Sequence, residues 1–375
     1  MSKSFYSLGL MSGTSMDGVD VSIINSDGNA KFKGILNKYF EYSEDLHKKL
    51  TSSRDKINSS TDLKIHSKEL DLLNKEITLF HCKAVNEVFK EIDFNVDIIG
   101  FHGQTIFHNA DEKISRQLGD GNLLSQLLKK KVVYDFRQND LKNGGQGAPL
   151  TPIFHKIISK EIKIDLPLCI LNLGGIANIT SIESEENSAL VSCDIGPGNC
   201  LIDEWLRKKT SKKYDKDGSI AKLGKINTVI LNQALNNHES LKAKNILSYD
   251  AKDFDLNFVR GLSLEDGAAT ITEFTSSLLS EGILDFLNKL DNRHRKILVC
   301  GGGRKNLTLI ESIKKKLVEK HTIENIDNHG LDGDFIESQA FAYLAIRSFL
   351  KLPISFPKTT GCKEPSTGGV LAENF

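Results

Sequence analysis

No apolar run in this chain of 375 residues approaches the roughly 20 residues that a bilayer-spanning helix needs. The opening Met1-Ser-Lys-Ser-Phe5 passes directly into the first expected strand and leaves no room for a signal peptide. Cysteine is sparse: Cys82, Cys169, Cys193, Cys200, Cys300 and Cys362 lie far apart and include no Cys-x-x-Cys. Cys169 and Cys300 fall inside apolar strands, where buried free thiols are common. The expectation is a soluble, reduced, cytoplasmic protein with no membrane partner. An excess of charge is missing as well, since 49 basic residues face 49 acidic ones without a long basic stripe. That argues against nucleic acid as a partner. Both common nucleotide loops are absent too: there is no Gly-x4-Gly-Lys-Ser/Thr, and no Gly-x-Gly-x-x-Gly after the first strand.

Three glycine sites stand out instead. The first lies in Tyr6–Ile24, where an apolar run enters a turn of Gly, Ser and Thr and leaves it alternating Val19, Val21 and Ile23 against Asp20 and Ser22. That period of two makes the loop a strand-to-strand hairpin, and bare amides in such a turn can nest an anion. Leu168–Thr180 repeats the pattern around Gly174-Gly175, a weak internal duplication. At the third site, strand Lys296–Cys300 enters Gly301-Gly-Gly303, and Asn306 heads a helix carrying Leu309, Ile313 and Leu317. Between these sites, Asp62–Phe89 has helical spacing, Val96–Phe101 reads as a strand ending in His102-Gly-Gln-Thr105, and Lys131–Phe136 as one ending in Arg137. Strand Ala189–Asp194 leads to a helix capped by Asn199, and Asp332–Ile346 reads as a helix with Glu337 in its first turn. The Gly/Pro/Thr-rich tail after Leu352 reads as irregular. At this length two domains are the default.

Hairpin loop, hairpin loop and strand–Gly–helix, in that order, resemble the two phosphate loops and the adenosine loop of the actin-like kinase superfamily. Gly9–Gly18 (Gly-Leu-Met-Ser-Gly-Thr-Ser-Met-Asp-Gly) narrows this to a resemblance to the anhydro-N-acetylmuramic acid kinase family of bacterial cell-wall recycling. Further motifs follow in family order: Phe101–Thr105, Gln117–Gly121, Asp135–Arg137 with Gly144–Pro149, Leu171–Ile179, Asp194–Asn199, Gly301–Gly303 with Asn306, and Glu337–Ala342. The resemblance implies an α/β chain with a two-domain actin-like ATPase (ribonuclease H-like) fold and ATP in the interdomain cleft. One lobe would hold residues 1–136 plus about 340–375, the other about 137–339, with closure on ligand. It further implies that ATP phosphorylates O6 of 1,6-anhydro-N-acetylmuramic acid while water opens the anhydro bridge at C1. In this scheme Asp194 is the catalytic base and Glu337 contacts the water or sugar. Ser12, Gly13, Thr14, Ser15, Met16, Asp17, Gly18 and Val19 form the first phosphate loop, Asn172, Gly174 and Gly175 the second, and Gly301, Gly302, Gly303 and Asn306 the adenosine side. His102, Gln104, Thr105, Asp120, Arg137 and Asn178 take the sugar, Arg137 through the lactyl carboxylate. Asp17 is the candidate for organising Mg²⁺, through phosphate and water.

Each of these residues also has a plain structural use. Asp194 and Asp17 are common turn formers, Glu337 complements a helix N-terminus, and His102 could bond its own loop. His102 and His108 make no convincing metal pair at their spacing, with no cysteine nearby. Asn245–Asp250, before Asp253-Phe254, departs from the family's Pro-Lys-Ser pattern, and Lys38–Ser60 carries no recognisable motif. Two alternatives remain open: a kinase of the same fold acting on another amino sugar, and a non-catalytic nucleotide-driven binding protein. A homodimer is implied by the resemblance alone.

Overall fold

The computed structural model describes residues 3–239, 254–291 and 293–375. Of the departing segment, Asn245–Asp253 lies outside the described residues. The chain divides into two compact units: Met1–Ile164 with Ser184–Val191 and Phe335–Phe375, and Asp165–Glu183 with Ser192–Asp334.

The first unit carries β1 (Phe5–Ser12), β2 (Gly18–Ser26), β3 (Phe32–Glu41), β4 (Ile98–Asn109), β5 (Ile114–Leu118) and β6 (Lys131–Tyr134). The second sheet is built from β7 (Leu168–Leu173), β8 (Ile176–Ile182), β9 (Leu190–Pro197), β10 (Lys296–Cys300) and β11 (Thr322–Asn325), and the tail returns to the first sheet as β12 (Val370–Ala372). The first sheet runs β12-β6-β4-β1-β2-β3 with β5 against β4, and the second β11-β10-β7-β8-β9. In the first, β1, β4 and β6 are parallel and β2 is antiparallel to β1. In the second, β7, β10 and β11 are parallel and β8 is antiparallel to β7. The expected duplication is therefore topological. Each sheet has an antiparallel hairpin followed by parallel strands in the order 3-2-1-4-5, the ribonuclease H-like arrangement.

β1 is covered on both faces. Leu8 and Leu10 pack with Val19, Val21, Ala84, Val85, Val88 and Phe101. On the other face Ser7 Oγ donates to the carbonyl of Ala342, and a Cβ on Gly9 would stand 1.9 Å from the Ser338 carbonyl oxygen. Gly9 and Gly100 are register partners, and a Cβ on Gly100 would meet the Phe341 carbonyl at 2.1 Å. This pair of glycines seats the helix Ile336–Phe349 directly on the sheet backbone.

Several expectations need correcting. The helix expected over Asp62–Phe89 is two, Ser60–Ile65 and Ser67–Phe89, because a capping box between Ser59 and Asp62 starts a short helix that ends at His66. β4 does not stop at Phe101 but runs to Asn109, since β5 supplies ladder partners for Gln104–Asn109. Asp194 likewise lies inside β9. The tail is not wholly irregular: Pro357–Thr360 is a short helix and β12 pairs antiparallel with β6. Asn199 precedes the helix Cys200–Lys209 in a helical conformation, with no capping bond from its side chain.

Candidate active site

In the first unit, β1 and β2 are joined by the loop Gly13–Asp17. Four of its five carbonyls are bonded within the protein. Gly13 O accepts from Met16 N at 3.2 Å and Gln104 Nε2 at 2.9 Å, Thr14 O from Arg54 at 3.4 Å, Met16 O from His47 Nδ1 at 2.8 Å, and Asp17 O from Tyr42 N at 2.8 Å. Among the described residues no protein acceptor meets the amides of Gly13, Thr14 or Ser15. A Cβ on Gly13 would find only Ser15 Oγ, at 3.9 Å, so the space above that residue is open. A turn with most of its carbonyls committed and three successive amides without a protein acceptor is fitted to an anion. Met16 anchors the loop: at φ 57° its side chain is buried with Tyr42, Leu46, Leu50, Ile77 and Phe107, so only its backbone faces the turn. Val19 is buried in the sheet core, and Gly18 is required by Tyr39 and the Phe40 carbonyl, both under 3 Å from a built Cβ.

Beside β1, at Ser12, stands Gln104 on β4. Its Nε2 holds Gly13, while its Oε1 is buried and lacks a partner among the described residues. Thr105 accepts from Gln117. His102 has both ring nitrogens engaged inside the protein. Nδ1 donates to the Gly103 carbonyl at 2.8 Å, and Nε2 accepts from Arg137 at 3.0 and 3.2 Å. Burial, with the Arg137 charge, holds this imidazole well below its ordinary pKa and therefore neutral. Arg137 is thus oriented by His102 and by the Gly147 carbonyl at 2.8 Å. The loop Gly144–Pro149 is braced in turn by buried Asp140, which accepts from Gly147 N and Thr360 Oγ1, both at 2.7 Å. Asp120 spends one carboxylate oxygen capping the helix Gly121–Leu128. Glu337, partly buried, is the second residue of the helix seated on Gly9 and Gly100.

In the second unit Gly174 and Gly175 form the turn between β7 and β8, and their carbonyls accept from the amides of Asn199 and Gly198, each at 2.8 Å. Gly198 has no room for a side chain, since a Cβ would lie 2.1 Å from Gly174 O. Asp194, partly buried in β9 just before that contact, raises the neighbouring Cys193 thiol, which burial in the first place pushes up to about 12. Asn178 faces Asn172 across the hairpin and keeps a buried Oδ1 unpartnered among the described residues. The Gly301–Gly303 turn is held by Arg304, whose guanidinium donates to Gly301 O and pairs with Asp327, Asp332 and Asp334. Gly301 (φ 78°) and Gly303 are confined by Leu173, whereas Gly302 is open. Asn306 caps its helix through Leu309 N at 3.1 Å.

Sequence reading missed Tyr42, His47, His81 and Asp140, which act through contacts distant in sequence. The only local signal was a histidine, His81, set among the apolar positions of a helix. For Mg²⁺, Asp17 offers a partly buried carboxylate at the loop, with Oδ1 accepting from Ser15 Oγ at 2.6 Å. Among the described residues no group of three or more His, Cys, Asp or Glu could enclose an ion. That donor set fits an ion carried mainly by phosphate and water.

A family model described as anhydro-N-acetylmuramic acid kinase matches residues 5–374. The chain is 56% identical over 375 residues to the anhydro-N-acetylmuramic acid kinase of Pelagibacter ubique (strain HTCC1062), with 100% of both chains covered. It is 40% identical over 367 residues to the enzyme of that name from Zymomonas mobilis subsp. mobilis, covering 96% of this chain and 98% of the relative. Against that of Brucella canis the identity is 37% over 371 residues, covering 97% of each. With that match along nearly every residue, the chain belongs to the anhydro-N-acetylmuramic acid kinase family.

Proposed function

We propose that this kinase carries out its family's double reaction on 1,6-anhydro-N-acetylmuramic acid, giving N-acetylmuramic acid 6-phosphate and ADP in cell-wall recycling. Asp194 takes a proton from water as the water oxygen bonds to C1. The C1–O6 bond breaks with its electron pair passing to O6, O6 bonds to the γ-phosphorus, and the bond from that phosphorus to the leaving ADP oxygen breaks. The amides of Gly13–Ser15 hold phosphate oxygens, as do those around Gly174-Gly175, while Gly301–Gly303 and Asn306 take the adenosine side. Arg137, held by His102, pairs with the lactyl carboxylate. Gln104, Thr105, Asp120 and Asn178 bind the sugar, and Glu337 orients water or sugar. Asp17 would hold Mg²⁺ through phosphate and water, and the ion would supply neutralisation of the phosphate charge.

The observation that carries this reading is the Gly13–Asp17 loop, with four of its five carbonyls bonded within the protein and the amides of Gly13, Thr14 and Ser15 without a protein acceptor among the described residues. The buried, unpartnered oxygens of Gln104 and Asn178 support the sugar contacts, since such acceptors are costly unless a ligand or water meets them. The reading extends to a cytoplasmic homodimer. No described helix is long and apolar enough to cross a membrane.

The test is ATP turnover with the anhydrosugar, N-acetylmuramic acid and N-acetylglucosamine. Turnover is expected only with the anhydrosugar, and Asp194→Asn should cut kcat by about 10²–10⁴-fold. Turnover with an ordinary sugar would keep the kinase and replace the substrate. ATP hydrolysis indifferent to sugar would return the binding-protein alternative.

A further inference from the structure

Beneath the Gly13–Asp17 loop lies a buried hydrogen-bond chain that the reaction scheme leaves unused. Tyr42 Oη lies 2.7 Å from Ser12 Oγ, Ser12 Oγ lies 3.2 Å from His81 Nε2, and His81 Nδ1 lies 2.8 Å from the Ile77 carbonyl. All three side chains are buried, His81 completely.

The direction of donation follows from the chemistry of the groups. A carbonyl only accepts, so the proton of His81 sits on Nδ1. Burial lowers the imidazole to about 4, so Nε2 carries a lone pair at neutral pH. Ser12 must therefore give its hydroxyl proton to Nε2. Its oxygen is then left to accept from Tyr42, whose phenol burial keeps protonated. Every proton in the chain is assigned, and the Ser12 donor is used up.

Tyr42 also reaches the far end of the loop, where its backbone amide donates to Asp17 O at 2.8 Å. Ser12 ends β1 immediately before Gly13. One residue thus ties both ends of the turn.

We propose that Tyr42, Ser12 and His81 are positioning residues forming a one-directional clamp, which holds the amides of Gly13–Ser15 in register for the phosphates of a nucleoside triphosphate. The Ser12 side chain then acts through the clamp and makes no phosphate contact of its own. This rests on the reading of the loop as a phosphate site.

The experiment compares Ser12→Ala, Tyr42→Phe and the double variant in the full chain, reading KM for ATP, KM for the anhydrosugar, kcat and thermal stability. Each single variant should raise KM for ATP about 3- to 10-fold, the scale of one lost hydrogen bond. KM for the sugar should stay within about twofold. The double variant should be no worse than Ser12→Ala, because the Tyr42 hydroxyl works only through Ser12. Equal effects on both KM values would mark a general folding role and overturn the clamp, as would additive effects in the double variant. Gly13→Ala separates the two readings, since a methyl there meets no protein atom closer than 3.9 Å. If it leaves KM for ATP unchanged, the phosphate-loop reading fails and the clamp falls with it. If it raises KM for ATP while Ser12→Ala and Tyr42→Phe do not, the clamp alone is overturned.

Discussion

Three histidines of the first unit are held neutral by burial, and that makes the protein sensitive to mild acid. His81 is lowered to about 4 and His155 to about 3, and His102 is held well below its ordinary value by burial and by Arg137. In the unfolded chain each would take up a proton below the ordinary histidine value of 6.5. Their contribution is therefore complete above that pH and is lost as pH falls from there toward the folded values. While all three withhold a proton, the slope is on the order of 1.4 kcal/mol per pH unit for each. Carboxylates such as Asp62 and Glu69, lowered by their hydrogen-bond and lysine partners, act only in a more acidic window. Urea midpoints should accordingly drop steeply between about pH 7 and pH 5, well before carboxylates titrate. A flat profile across that interval would mean the folded protein accepts these protons, and the buried-neutral assignment of His81 would have to go.

At the scale of elements, the contact of greatest consequence is the helix Ile336–Phe349 seated on Gly9 and Gly100. A Cβ at Gly100 would lie 2.1 Å from the Phe341 carbonyl and 3.1 Å from Ala345 Cβ, with backbone on the receiving side. Gly100→Ala should destabilise the protein by about 1–3 kcal/mol, the usual cost of overpacking, whereas Gly13→Ala should leave its stability nearly unchanged. Chemical denaturation of the two variants makes the comparison; equal stabilities would show that the helix shifts freely. Nothing in the sequence announces this contact. Gly9 and Gly100 sit in apolar runs that read as ordinary buried strands, and the need for a missing Cβ arises from a helix more than 230 residues away. The two hairpins were legible because alternation and glycine turns are local. The extension of β4 was not, because its ladder partner β5 had no signal of its own. The Ser59–Asp62 capping box was present in the sequence but straddled the start of the longer Asp62–Phe89 helical period, which masked the break at His66. At the candidate site the glycine loops, Asp194 and Arg137 were readable from motifs. Tyr42 and His81 were not, because Ser12 meets them from 30 and 69 positions away.

Across the whole molecule the balance of 49 basic and 49 acidic residues bears on how ATP arrives. A net-neutral chain has no net charge to draw in a polyanion, so long-range attraction would have to come from local patches. The candidate phosphate groups act at contact instead. They are backbone amides on two hairpins of matching topology, Gly13–Ser15 and the turn at Gly174-Gly175, whose partial charges act over a few ångströms. Salt screens exposed charges beyond roughly 10 Å at 0.1 M but weakens contact hydrogen bonds little. The second-order rate kcat/KM for ATP should therefore change by less than about threefold between about 20 and 200 mM salt at fixed free Mg²⁺. A tenfold or larger fall would point to steering by exposed charge. The lysines of Lys314–Lys316, in the last turn of the helix Leu307–Leu317 that Asn306 caps, would then be the first to neutralise.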